Sequence, residues 1–266
     1  ASGFGVVVAL DAGSGAKVWE KKVGAPVRSS PTVAEARVYV VNIEGRVACL
    51  SSVDGAEIWS YRGPPQQAGV INNVSPAVAD GLVVVPFSSG DLIALKADTG
   101  ALAWSESLGT ARAVSGLSAL SDPSRPVIDG GVVYAIGHGG RMIATSQKSG
   151  ERIWSLSIGG TQAPAVAGDA VYVVDLAGRL VAVTRETGTV RWAVKLPGTS
   201  IVWSGPVLAG GRLWLASAGG GLLGVDAMTG KVAASRELDD KILIPPIVAA
   251  GRLIVLTDDA QLVAFN

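Results

Sequence analysis

Apolar residues in this chain fall into short runs bounded by glycine and polar turns, and no stretch keeps a helical spacing. One set of runs is β-branched: "RVYVV" at 37–41, "LVVVPF" at 82–87, "VVYAI" at 132–136, "AVYVV" at 170–174, "RLWLA" at 212–216 and "RLIVL" at 252–256. Each is followed, after a turn, by a second run: "RVACL", "DLIAL", "RMIAT", "RLVAV", "GLLGV" and "QLVAF". Runs of this length and composition predict strands, and their nearly unbroken apolarity predicts burial on both faces. A proline precedes each pair, at Pro31, Pro76, Pro126, Pro164, Pro206 and Pro246, and opens a further short strand.

A third feature completes the unit. Turn glycines recur at Gly15, Gly55, Gly100, Gly150, Gly188 and Gly230, spaced 38 to 50 residues apart. Four residues after the first five stand Trp19, Trp59, Trp104, Trp154 and Trp192, and the sixth copy has Ala234 instead. Four short antiparallel strands in a unit of this length, repeated along the chain, predict an all-β fold, a β-propeller of four-stranded antiparallel blades. About six and a half repeats are present, and no linker divides residues 1–266, which read as a single domain. The tryptophans are expected to lie between neighbouring blades as spacers. The third strand carries a column of small residues, Ala9, Cys49, Ala94, Ala144, Ala182, Gly224 and Ala264, expected where sheets pack closely.

Composition narrows the function. With 22 Lys and Arg against 22 Asp and Glu and no block of one sign, no nucleic-acid surface is predicted. The mean hydropathy of +0.41 is high, but the longest apolar segments are strand-sized, too short for a membrane helix. Cys49 is the one cysteine, so no intrachain disulfide forms, and its column marks it as a core residue. His138 is the one histidine, which excludes multi-histidine metal sites. It reads as a surface residue in a turn where other repeats carry Asn42, Ser88, Asp175 or Ser217. No nucleophile elbow and no phosphate loop accompany it, so no catalytic residue, metal or cofactor is predicted.

The "[LV]xALxxxTGxxxW" turns and "SPxVxxGxVYV" strands resemble the repeat of the pyrroloquinoline-quinone (PQQ)-like propeller superfamily. Within it, 117–144, 171–188 and 204–222 are similar to the BamB family, the lipoprotein propeller subunits of the outer-membrane β-barrel assembly (BAM) machine. This resemblance implies an eight-bladed ring of which one and a half N-terminal blades and a lipid-bearing cysteine lie outside this sequence. It also implies a non-catalytic scaffold on the periplasmic face of the outer membrane. Its partners would be the periplasmic POTRA domains of the barrel subunit BamA and unfolded outer-membrane proteins.

The irregular loops point to a site. Loops joining strands 2 and 3, and those leading from one blade to the next, share one face of a propeller. The two longest blade-to-blade segments, 62–75 and 107–125, are neighbours on it. In the family resemblance, a loop at Ala68, Gly69, Val70 and Ile71 and an acidic position at Asp175 contact BamA. Val70, Ile71, Asn72, Asn73, Asp175 and Arg179 are therefore the expected partner-binding residues. Asp175 equally suits a cap of its own turn. The outermost strands "EIWSYR" and "RIWSLS" offer edges for strand addition. Two other readings of the scaffold are a PQQ-dependent quinoprotein dehydrogenase and a ligand-sensing propeller of a receptor. The dehydrogenase reading lacks both an adjacent-cysteine disulfide and a convincing calcium cluster.

Overall fold

The computed structural model describes residues 1–64, 75–109, 123–198 and 201–266. Among these, every regular element is a strand, and no helix is long and apolar enough to cross a membrane. The strands form seven antiparallel sheets in chain order: 6–22 (two strands), 32–62, 77–107, 127–156, 165–195 and 203–237 (four strands each), and 247–265 (three strands). Each four-stranded sheet is a meander whose neighbours in sequence are neighbours in space, the blade of a β-propeller. Among the described residues, no ladder joins the first sheet to the last.

The first strands of successive sheets pack against one another along the chain, so they form the inner ring. Five of the six repeat prolines stand immediately before these short strands, where a missing amide hydrogen costs no ladder bond. Pro206 instead lies within Trp203–Ala209, whose register is interrupted between Ser204 and Val207. In the five four-stranded sheets the second and third strands are almost wholly buried, and the core lies in the gaps between facing sheets.

The repeated tryptophan occupies these gaps. Trp19, Trp59, Trp104, Trp154 and Trp192 stand directly across the ladder from Ala9, Cys49, Ala94, Ala144 and Ala182. The small column therefore makes room for an indole in its own sheet as much as it brings sheets together. Each indole then reaches the next sheet's turn glycine. A Cβ on Gly55, Gly100, Gly150, Gly188 or Gly230 would fall 2.6 to 2.8 Å from a ring atom of Trp19, Trp59, Trp104, Trp154 or Trp192. Those glycines have φ between +70° and +74°, a region that a side chain disfavours. Their lack of a side chain thus serves both the turn and the indole's seat. Four of the rings also donate Nε1–H to the neighbouring sheet: Trp19 to the Ser52 carbonyl (2.9 Å), Trp59 to Ala97 (2.9 Å), Trp104 to Gln147 (2.7 Å) and Trp154 to Arg185 (2.9 Å).

Long side chains add further bonds across the gaps. Gln147 Nε2 donates to the Ala79 carbonyl at 2.7 Å, one sheet back. Arg185 Nε donates to the Tyr134 hydroxyl at 3.0 Å, and its guanidinium pairs with Asp129. On the outer strands the register shifts once beside each tryptophan, and likewise beside Ala234, leaving Val18, Ile58, Ala103, Ile153, Arg191 and Ala233 unpaired as bulges. A bulge bends the edge and interrupts its donor–acceptor row, so these strands are poor templates for strand addition.

Candidate functional site

One end of the strands carries the loops between strands 2 and 3, and one closing bond recurs in five of them. The loop is closed by an amide-to-carbonyl bond from Asn42 to Arg46, Phe87 to Asp91, Gly137 to Arg141, Asp175 to Arg179 and Thr257 to Gln261. This ladder corrects the sequence alignment of the turn. Phe87 and Gly137 are equivalent to Asn42 and Asp175, while Ser88 and His138 lie one position later. His138 therefore falls in the column of Ile43 and Leu176, and its side chain is exposed.

The blade-to-blade segments are pinned to this face. Amides of Ile43, Leu176, Ala218 and Asp258 donate to the carbonyls of Pro26, Gly159, Val202 and Lys241. In return, Gly45, Gly90, Gly178 and Gly220 accept from Gly63, Leu108, Leu196 and Leu238. Among the described residues, this lattice ties the strand 2–3 loops to the ends of the blade-to-blade segments, and side chains project from it.

Asp175 behaves as a cap. Its Oδ1 accepts from the Arg179 amide at 2.8 Å and its Oδ2 from Arg179 Nε at 2.7 Å. The Asp175 side chain is 4% exposed and that of Arg179 is 50% exposed. The carboxylate faces inward and the guanidinium outward. Asn42 and Ser217 cap their own turns in the same way, through Asn42 Oδ1 to Glu44 and Arg46, and Ser217 Oγ to Gly221. The other expected partner residues, Val70, Ile71, Asn72 and Asn73, lie outside the described residues.

Beside Asp175 a groove of about 270 Å³ opens between the fifth and sixth sheets. Trp203 forms its buried floor, and its Nε1 donates to the Pro197 carbonyl at 3.2 Å. Three aliphatic side chains line the groove and project from it: Leu176 (51% exposed), Ile201 (38%) and Val202 (66%). Lys195 spans it and donates Nζ to the Ala177 carbonyl. The combination is an apolar hollow with one cationic edge. Sequence reasoning missed these aliphatic residues. The available signal was a leucine in the middle of the "DLAG" turn, where only polar residues and glycine serve the turn itself.

Among the described residues, no three histidine, cysteine or acidic side chains converge so as to hold a metal ion. Cys49 is buried opposite Trp59, and burial pushes its thiol up to about 11.

Comparison with known proteins bears on the same scaffold. The family model described as "Outer membrane protein assembly factor BamB" matches residues 1–194 and 176–266. The chain is 27% identical over 263 residues to the BamB of Yersinia pestis, covering 98% of this chain and 67% of that protein. It is 31% identical over 152 residues to the BamB of Nitrosomonas eutropha, covering 57% of this chain and 37% of that protein. Of that relative's length, and of several others', the chain spans less than half. The crystal structure of BamB from Moraxella catarrhalis superposes with a TM-score of 0.90 at 22% identity, covering 98% of this chain and 79% of that one. A europium-containing methanol dehydrogenase superposes with a TM-score of 0.63 at 12% identity, over 97% of this chain and 78% of that one, a likeness of fold alone. With its family model matched along the whole sequence, the chain belongs to the BamB family of outer membrane protein assembly factors.

Proposed function

We propose that this chain is a non-catalytic scaffold that docks the barrel-assembly subunit through the strand 2–3 loop face. The partner expected from the family is BamA, engaged through its periplasmic POTRA domains, with unfolded outer-membrane proteins as further clients. Work at the periplasmic face of the outer membrane, with attachment through a lipid anchor, belongs to the same proposal. The observation that carries it is the groove beside Asp175. Three projecting aliphatic side chains sit on loops held by repeated backbone bonds, with Lys195 across the groove and Arg179 at the end of the adjoining strand. Such a platform binds with little ordering cost, because its backbone is fixed before contact.

In this reading Asp175 is a positioning residue. It orients the Arg179 guanidinium, and Arg179, Lys195, Leu176 and Val202 make the contact. A Leu176→Asp/Val202→Asp variant should bind the BamA POTRA fragment at least ten-fold more weakly in biolayer interferometry. Its melting temperature should match that of the wild type, since both side chains already project into solvent. Unchanged affinity would remove this face from the proposal. Titration with PQQ and Ca²⁺ tests the dehydrogenase reading separately. A scaffold shows neither a bound-quinone absorbance nor a thermal shift.

A further inference from the structure

The gap between the fourth and fifth sheets departs from the repeat in its charges. Both sheets have four strands, and every residue from 127 to 195 is described. Asp129 ends the first strand of the fourth sheet, where the other sheets have Ala34, Ala79, Ala167, Ala209 and Ala249. The Arg185 amide donates to the Asp169 carbonyl, and the same bond joins Ser52 to Ala36, Ala97 to Gly81, Gln147 to Gly131 and Ala227 to Gly211. Arg191 is the bulge residue of its strand, where the other sheets have valine, isoleucine or alanine. Four charged side chains therefore meet at one gap, each at a position that carries no charge in the other sheets.

A groove of about 540 Å³ opens there, at the end of the strands opposite the Asp175 platform. It has twice the volume of the groove beside Asp175. Val132 and Ile153, the latter 50% exposed, give it an apolar wall. Asp169, Arg185, Glu186, Thr187 and Arg191 supply polar groups. The charges of both arginines are compensated. Arg185 pairs with Asp129 and also donates Nη2 to the Asp129 carbonyl at 2.8 Å. Arg191 donates from both Nη atoms to the Asp169 carboxylate, and this bonding holds the Asp169 carboxyl below its usual range. Arg191 keeps N–H groups to spare, and the carboxylate keeps lone pairs on its exposed side. Thr187 Oγ1 lies 2.6 Å from Thr184 Oγ1 and 2.8 Å from Thr189 Oγ1, a row of hydroxyls that reaches the groove at Thr184 and Thr187. Among the described residues, Glu186 makes no hydrogen bond or ion pair.

We propose that this groove binds a neutral saccharide through neighbouring hydroxyl groups. Its volume falls within the range of about 300–1,000 Å³ usual for small-molecule pockets. A charged ligand would compete with a partner already in place on either arginine. A pair of sugar hydroxyls instead donates to the Asp169 carboxylate and accepts from the Arg191 guanidinium, and both charges stay compensated. The C–H face of the sugar ring packs on Ile153. This site lies apart from the proposed BamA platform and stands or falls independently of it.

Chemical-shift titrations of the ¹⁵N-labelled full chain with cellobiose, N,N′-diacetylchitobiose, permethylated cellobiose and the peptide Gly-Lys-Gly test the assignment. At least one of the two free disaccharides should shift the amides of Asp169 and of residues 184–191, and bind at least ten-fold more tightly than the permethylated sugar, which has no hydroxyl to donate. Which of the two binds distinguishes a glucan from an amino-sugar chain. Asp169→Asn/Arg191→Gln should weaken that binding at least five-fold at an unchanged melting temperature, since a surface ion pair contributes little to stability. Ile153→Asp, on the apolar wall, should weaken it as much and serves if the first variant does not fold. Absence of binding by both free disaccharides, equal binding of the permethylated sugar, or indifference to these variants would overturn the proposal. Tighter binding of Gly-Lys-Gly, abolished by Glu186→Gln, would assign the groove to a basic side chain and also overturn it.

Discussion

Adding one methyl group at Gly100 tests whether indoles seated on turn glycines hold the sheets together. Its φ is +71°, and a Cβ there would stand 2.6 Å from Trp59 Cε3. Two costs add. An L-residue in the left-handed region costs roughly 1–2 kcal/mol. Forcing a methyl into a filled gap costs about 1–3 kcal/mol more. Gly15 provides the control, with the same φ of +71° and no atom within 4 Å of the added Cβ. Gly15→Ala should therefore lose about 1–2 kcal/mol, and Gly100→Ala about 2–5 kcal/mol. At about 2–4 °C per kcal/mol for a chain of this size, the extra loss lowers the melting temperature by about 2–12 °C. Urea unfolding followed by circular dichroism measures both variants, with unchanged m-values guarding the comparison. In a Trp59→Ala background the Gly100→Ala penalty should shrink to the Gly15→Ala value, because the clashing ring is gone. Equal losses at the two glycines in the wild-type background would refute the reasoning.

Thr145 gives a prediction of opposite sign. Its hydroxyl is fully buried without a partner, in a column otherwise filled by Leu50, Leu95, Val183 and Val225, so Thr145→Val should stabilise by about 1–2 kcal/mol in the same urea assay. Alkaline pH should act through Cys49 and Tyr39. Burial raises the thiol from 9.0 to about 11 and the phenol from 10.0 to about 12. Both groups ionise more readily in the unfolded chain, so their contribution is intact below about pH 9 and is lost as pH rises through 11 and 12. The urea midpoint should thus be flat from neutrality to pH 8.5 and fall above it. A thiol reagent at neutral pH should label Cys49 only at the rate of unfolding.

The repeat was legible because its chemistry is local. A turn that needs positive φ selects glycine, β-branched runs select strands, and an indole every blade marks the gaps. Position within the turns was harder to read. Glycine-rich turns of equal length do not reveal which amide closes the loop, so His138 aligned with Asn42 until the hydrogen-bond ladder moved it by one residue. In the "AEAR" turn, polarity was visible, but not that Glu35 and Ala36 both adopt positive φ, at 49° and 59°. Asp175 had two readings of equal merit, and only the carboxylate's inward direction identifies it as a cap of its own turn. Leu176, Ile201 and Val202 were missed because a place in a loop does not reveal whether an apolar side chain packs inward or projects into a groove.

Amide hydrogen exchange, recorded with and without the BamA POTRA fragment, tests the docking account most directly. The account predicts added protection concentrated in residues 174–178 and 195–203, with the turns at the opposite end of the strands unchanged. Protection confined to that opposite end, or to the outer strands 57–62 and 152–156, would contradict it.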